Sequence, residues 1–160
     1  MELFYLDELG IGFIGSALCA ALCIAGSIRG VAIVCEARAG LLSVDTSDLA
    51  EEIRTLQIIP AIQAVLGIFI CFFALARMGV FGGGPYDSTN VPGLRFAAAC
   101  LPMAIGGAVS ASALGRVAAS VLNLLARKPN SWGKGLSLCI IVILFAVLSF
   151  ILSIVLISII

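Results

Sequence analysis

The sequence predicts an all-α membrane protein of four transmembrane helices, arranged as two tandem hairpins. Three observations predict it. The chain has 160 residues, of which 62% are hydrophobic and 11% charged, with a mean hydropathy of +1.23. A soluble domain of this size has no polar cover for so much apolar surface. The charges also bracket four long gaps: none falls between Glu8 and Arg29, Arg54 and Arg77, Arg95 and Arg116, or after Lys134. At about 1.5 Å of rise per residue, roughly 20 apolar residues cross a hydrocarbon core. Finally, the runs lack the period-two alternation of a membrane barrel, which leaves helices as the form that satisfies its backbone in lipid.

The first span starts close to Met1. No Lys or Arg precedes it, Glu2, Asp7 and Glu8 are acidic, and the run is long, so it is read as a span and not as a signal peptide. It is rich in small residues, among them Gly12, Gly15, Ala21, Gly26 and Gly30. The second span is bulky, dominated by Ile, Leu, Val and Phe. The third returns to small residues (Ala97, Ala104, Gly107, Ala111, Gly115, Ala118), and the fourth is bulky again. Small residues let helix backbones approach closely, whereas bulky ones suit lipid. The order therefore divides the chain into a first hairpin over 9–80, a Gly-rich loop over 81–91 and a second hairpin over 92–160, each hairpin with one crowded and one lipid-facing helix.

The halves also match in sequence. Ala64-Val65-Leu66 recurs as Ala146-Val147-Leu148, 82 positions later, and Glu36-Ala37-Arg38 lines up with Leu114-Gly115-Arg116, 78 positions later. Such a period marks an internal duplication. Both hairpins point the same way, unlike the inverted repeats of many secondary transporters. Arg38, Arg54, Arg116, Arg127, Lys128 and Lys134 lie on one side of the spans, with only Arg77 and Arg95 on the other. By the positive-inside rule both termini and the loop at Gly82–Gly84 face away from the cytoplasm, although Asp45, Asp48, Glu51 and Glu52 share the first cytoplasmic loop. The formal net charge of zero without a basic cluster gives no nucleic-acid signal. Cys19, Cys23, Cys35, Cys71, Cys100 and Cys139 fall in the spans and read as small apolar packing residues. With no His in the chain, no firm metal site is expected.

A colinear set of residues carries a family resemblance. It comprises Gly30-Val31, Glu36-Ala37 and Ala39-Gly40 in the first span, and Ile59-Pro60, Gln63 and Gly67 in the second. Leu101-Pro102 and Gly115-Arg116-Val117-Ala118-Ala119 follow in the third, then Leu125-Ala126-Arg127-Lys128-Pro129 and Gly133-Lys134-Gly135. The set resembles the duplicated four-helix proteolipid, the membrane-ring subunit of V/A-type rotary ATPases. The resemblance implies that copies close into a rotor ring, small-residue helices inside and bulky ones outside. It implies that the ring carries ions past a stator membrane subunit, coupled to ATP hydrolysis or synthesis. The loop with Arg127, Lys128, Pro129 and Lys134 would contact central-stalk subunits, and lipids would surround the ring. No cofactor is implied beyond a bound proton or sodium ion. The chain carries no phosphate-cradling Gly-x-x-x-x-Gly-Lys-[Ser/Thr] motif, so it holds no catalytic residue for ATP.

The family's ion carrier is a carboxylate on the fourth helix, assisted by polar groups on the second and third. That position here is Ile143, its first-hairpin equivalent is Ala61, and the third-helix helper is Leu114; no Asp or Glu occurs from Ser88 to Ile160. What remains is Glu36 and Gln63, each nine residues from a charged loop residue, Asp45 and Arg54 respectively. On straight helices they would meet at one depth. A carboxylate within a span is a functional candidate, Gln63 offers an amide, Pro60 frees the Leu56 carbonyl from its helix bond, and Ser110 and Ser112 add hydroxyls. A sodium ion needs about six oxygens, by analogy with other hard cations, so the set favours a proton. Equally, Glu36 suits an interfacial position, solvated or paired with Arg38, and Arg29 a snorkelling one. Two alternatives stay open beside the ion-carrying ring subunit: a non-translocating structural paralogue of it, and an unrelated four-helix transporter or channel.

Overall fold

The computed structural model describes residues 2–41, 50–81 and 93–160. Asp45, Asp48 and the Gly-rich loop with Gly82–Gly84 lie outside the described residues. Helix α1 (Glu2–Gly40) is followed by a second span in two pieces, α2 (Ala50–Ile58) and α3 (Ile62–Arg77), joined by a 3₁₀ turn over Ile59–Ala61. The break falls where Pro60 removes a donor from the helix ladder, and the Ile62 N–H bonds back to the Ile59 carbonyl instead. The third span is α4 (Gly93–Arg127). A second 3₁₀ turn over Pro129–Ser131 leads into α5 (Trp132–Ile159). All four spans are long and apolar enough to cross a membrane.

Helices α1 and α4 pack side by side and run parallel. A Cβ built on Gly15 would collide with Ala97, one on Gly26 would lie 2.6 Å from the Ala108 Cα, and one on Gly30 would reach the Ala111 carbonyl. Lipid tails are as apolar as leucine, so helix association in a membrane depends on such close van der Waals packing rather than on hydrophobic burial. The partners are 81 or 82 residues apart, so the inner helices of the two repeats lie in register with the duplication period. The hairpins share their own register too. Cys23 packs on Gly67 and Pro60 on Gly30 in the first; Ser149 packs on Gly106 and Val121 on Gly135 in the second. The 82-residue match thus holds in space. The 78-residue match does not: the register sets Glu36 level with Ala118, one helical turn beyond Leu114.

The interior forms two apolar layers. One, towards the chain termini, gathers Cys19, Cys23, Ile70, Ala74, Met103 and Ile157. The other, towards the hairpin loops, gathers Val34, Leu56, Leu114, Leu122, Leu125 and Cys139. Four of the six cysteines are buried in these layers as free thiols. Of the four spans α4 is the most enclosed, with 44% of its most apolar window buried, against 17% for α5. α1 reaches only 33%, no more than the bulky second span, because among the described residues its outer side has no neighbour.

Candidate functional site

Ile143, where the family resemblance places the fourth-helix carboxylate, is apolar in its surroundings as well as its side chain. Ile143 packs against the layer that contains Leu114, Leu56 and Val34. Leu114 is fully buried there, and Ala61 closes the 3₁₀ turn in the second span. None of the three side chains offers an oxygen or an ionisable group to a cation or a proton.

A small polar layer does exist, deeper in the first hairpin. Gln63 is 2% exposed, and both its amide nitrogen and oxygen lack a hydrogen-bond partner. Four residues before Gly67, it is level with Ser27, four residues after Cys23. Ser27 is 4% exposed and its Oγ is likewise unpartnered. Ser110 lies close to the same level on α4, but its hydroxyl is spent on the Gly106 and Gly107 carbonyls. Ser112 donates to the Val109 carbonyl at 2.9 Å. Ser27 escaped sequence reasoning because it sits in a run of small residues. Only the hairpin register sets it level with Gln63.

Glu36 does not join this layer. Nine residues separate it from Ser27 along α1, about 13 Å of rise, so the depth shared by Glu36 and Gln63 that straight helices imply is absent. The antiparallel register, with the 3₁₀ turn intervening, sets Glu36 beside α2. There Arg38 Nη1 donates to Gln57 Oε1 at 2.7 Å and Gln57 Nε2 approaches Cys35 Sγ at 3.4 Å. The Glu36 side chain is exposed, as is that of Arg29 two turns earlier. Among the described residues Glu36 has no hydrogen-bond or ion-pair partner, so Arg38 spends its guanidinium on Gln57 instead of on Glu36.

No protein-family model matches the chain. The V-type sodium ATPase subunit K of Enterococcus hirae is 34% identical over 128 residues, which cover 80% of this chain and 78% of that protein. The chain belongs to the subunit K family of V-type ATPases. The parallel register of α1 and α4 is the form a duplicated proteolipid requires. Within this family member the polar end of the second hairpin is well formed. α4 closes at Arg127, the Lys128 N–H bonds the Leu124 carbonyl at 2.8 Å, and Pro129 starts the 3₁₀ turn. Arg127, Lys128, Pro129 and Lys134 are all exposed on that end, beside the exposed Arg38 and Arg54 of the first hairpin.

Proposed function

We propose that this subunit K homologue builds the membrane rotor ring of a V-type ATPase, with copies of itself or with paralogues as ring neighbours. The observation that supports it best is the in-register packing of α1 on α4. A step that relates one hairpin to the next, if repeated between chains with a rotation that closes, generates a ring. The exposed basic end with Arg127, Lys128 and Lys134 is then the surface for the central stalk. The stator membrane subunit meets the outer helices α3 and α5, and both termini lie on the non-cytoplasmic side. Native mass spectrometry of the assembly purified from its own membrane in mild detergent tests the proposal: a closed ring is expected, either a multiple of the chain mass or this chain together with paralogues, and a persistent monomer would sink it.

Within that function the ion has two treatments. If the chain carries one itself, Glu36 is the carboxylate and the favoured ion is a proton, since among the described residues Glu36 has no neighbouring set of oxygens of the kind a sodium ion takes. The second treatment is a passive member of a ring whose other subunits hold the carboxylate; the apolar packing of Ile143 and Leu114 favours it. Carbodiimide labelling of Glu36 in the purified ring across pH, with and without sodium, separates them. Labelling that tracks pH alone supports proton carriage, labelling that sodium blocks supports sodium, and no labelling at any pH supports the passive member.

A further inference from the structure

The two inner helices expose complementary faces. Residues of α4 that are buried in the single chain include Phe96, Cys100, Ala104, Gly107, Ala111 and Ala118. Their equivalents on α1, 82 positions earlier, are Ile14, Leu18, Leu22, Ala25, Arg29 and Glu36, and every one is exposed. The converse also holds. Ser16, Cys19, Cys23, Ser27 and Val34 are buried on α1, while Ala98, Leu101, Ile105, Val109 and Arg116 are exposed on α4. The physical cause is that α1 covers one face of α4, while among the described residues nothing covers the outer face of α1 or the far face of α4.

Resting on the ring function above, we propose that the exposed face of α4 in one copy docks on the exposed face of α1 in the next, and that an intersubunit ion pair between Arg116 and Glu36 locks this contact. Within the chain the corresponding positions are Val34 and Ala118, which share one buried apolar layer. Repeating the α1–α4 step between copies replaces that apolar meeting by a guanidinium and a carboxylate. Of the exposed arginines of α4 (Arg95, Arg116 and Arg127), Arg116 is the one near the level of Glu36, its nearest opposite charge in register on the face of α1. Arg29, at the place of Ala111, falls beside the neighbour's Ser112 hydroxyl and five residues from the level of Arg116. Two charges that are costly one by one near lipid become tolerable as a pair. The unmatched charge at each position also opposes docking in any other register, which gives the contact specificity. A carboxylate engaged by a neighbour's guanidinium is not free to take up and release an ion, so the pair favours the passive treatment of Glu36.

The test is a charge exchange read by native mass spectrometry of the purified protein in mild detergent. E36R and R116E alone should each lower the fraction of intact ring by about tenfold or more, and the E36R/R116E double variant should recover it. Where a reversal prevents folding, E36Q, R116Q and their combination give the same cycle: once one charge is gone, removing the second adds little further loss. Rings that withstand both single changes, or a double variant no better than the singles, overturn the ion pair while leaving the ring. A wild-type chain that stays monomeric overturns the ring and the pair together.

Discussion

Gly115 stands directly against the backbone of Gly30, so near that a Cβ on Gly115 would run into the Gly30 Cα and carbonyl. Backbone cannot rotate aside as a flexible side chain can, so any larger residue must push α1 and α4 apart. Gly115→Val is therefore expected to destabilise the chain by about 3 kcal/mol, measured by unfolding in mixed micelles. Gly133→Ala serves as the control, since nothing lies within 4 Å of that position; it should unfold like the wild type or slightly later. Equal stability of the Gly115 variant would mean that α1 and α4 do not pack in this register.

Pro102 lies inside the continuous helix α4, and the next residue has a partner on another helix: the Met103 N–H donates to Ser153 Oγ on α5 at 3.0 Å. The Met103 carbonyl in turn accepts from Cys23 Sγ on α1 at 3.3 Å. One residue thus ties three helices together in the termini-side layer. Ser153→Ala removes the acceptor and leaves the N–H buried, an expected loss of about 1 kcal/mol. The same micelle assay checks it, and an unchanged midpoint would show that the Met103 N–H has another acceptor.

The four spans, the break at Pro60 and the two-hairpin order were legible in the sequence because each depends on local composition: charge-free length, a proline, the alternation of small and bulky helices. The 82-residue period was legible as well, since it repeats identical residues at Ala64 and Ala146. The 78-residue pairing of Glu36 with Leu114 misled, because Ala37-Arg38 resembles Gly115-Arg116 in type, one helical turn out of place. A match of two or three residues cannot distinguish neighbouring turns of a small-residue helix, whereas packing at Gly15, Gly26 and Gly30 does. That Ile143 and Leu114 offer no polar atom was plain from residue type alone. Ser27 was not, because its significance is its level relative to Gln63, which only the hairpin register supplies.

Gln63 is buried with its whole amide unpartnered. Such a group forfeits its hydrogen bonds to water without replacing them, a penalty of about 1–3 kcal/mol. Gln63→Leu keeps the volume and removes the penalty, so the variant is expected to unfold at the same or a higher temperature than the wild type. Destabilisation by more than about 1 kcal/mol would instead mean that the amide has a bound partner in the membrane, with Ser27 Oγ the nearest group in register to share it.

Restoring a carboxylate where the family resemblance places one is the most direct probe of what this chain has lost. Ile143 is partly buried on the layer of Leu114, Val34 and Leu56, so Ile143→Glu puts an ionisable group among hydrocarbon side chains. That should cost about 3 kcal/mol in the micelle assay. A protonated carboxyl reacts with carbodiimide, so the variant is expected to label at residue 143, increasingly as pH falls, where the wild type has no reactive group. Adding Leu114→Gln supplies an amide from the facing helix and should return part of the stability, because the acid then has a hydrogen-bond partner. If Ile143→Glu stays unlabelled at every pH, residue 143 does not face the reagent, and the alignment of α5 with the family's carboxylate helix is wrong. If it labels but Leu114→Gln restores nothing, α4 and α5 do not bring those two side chains together.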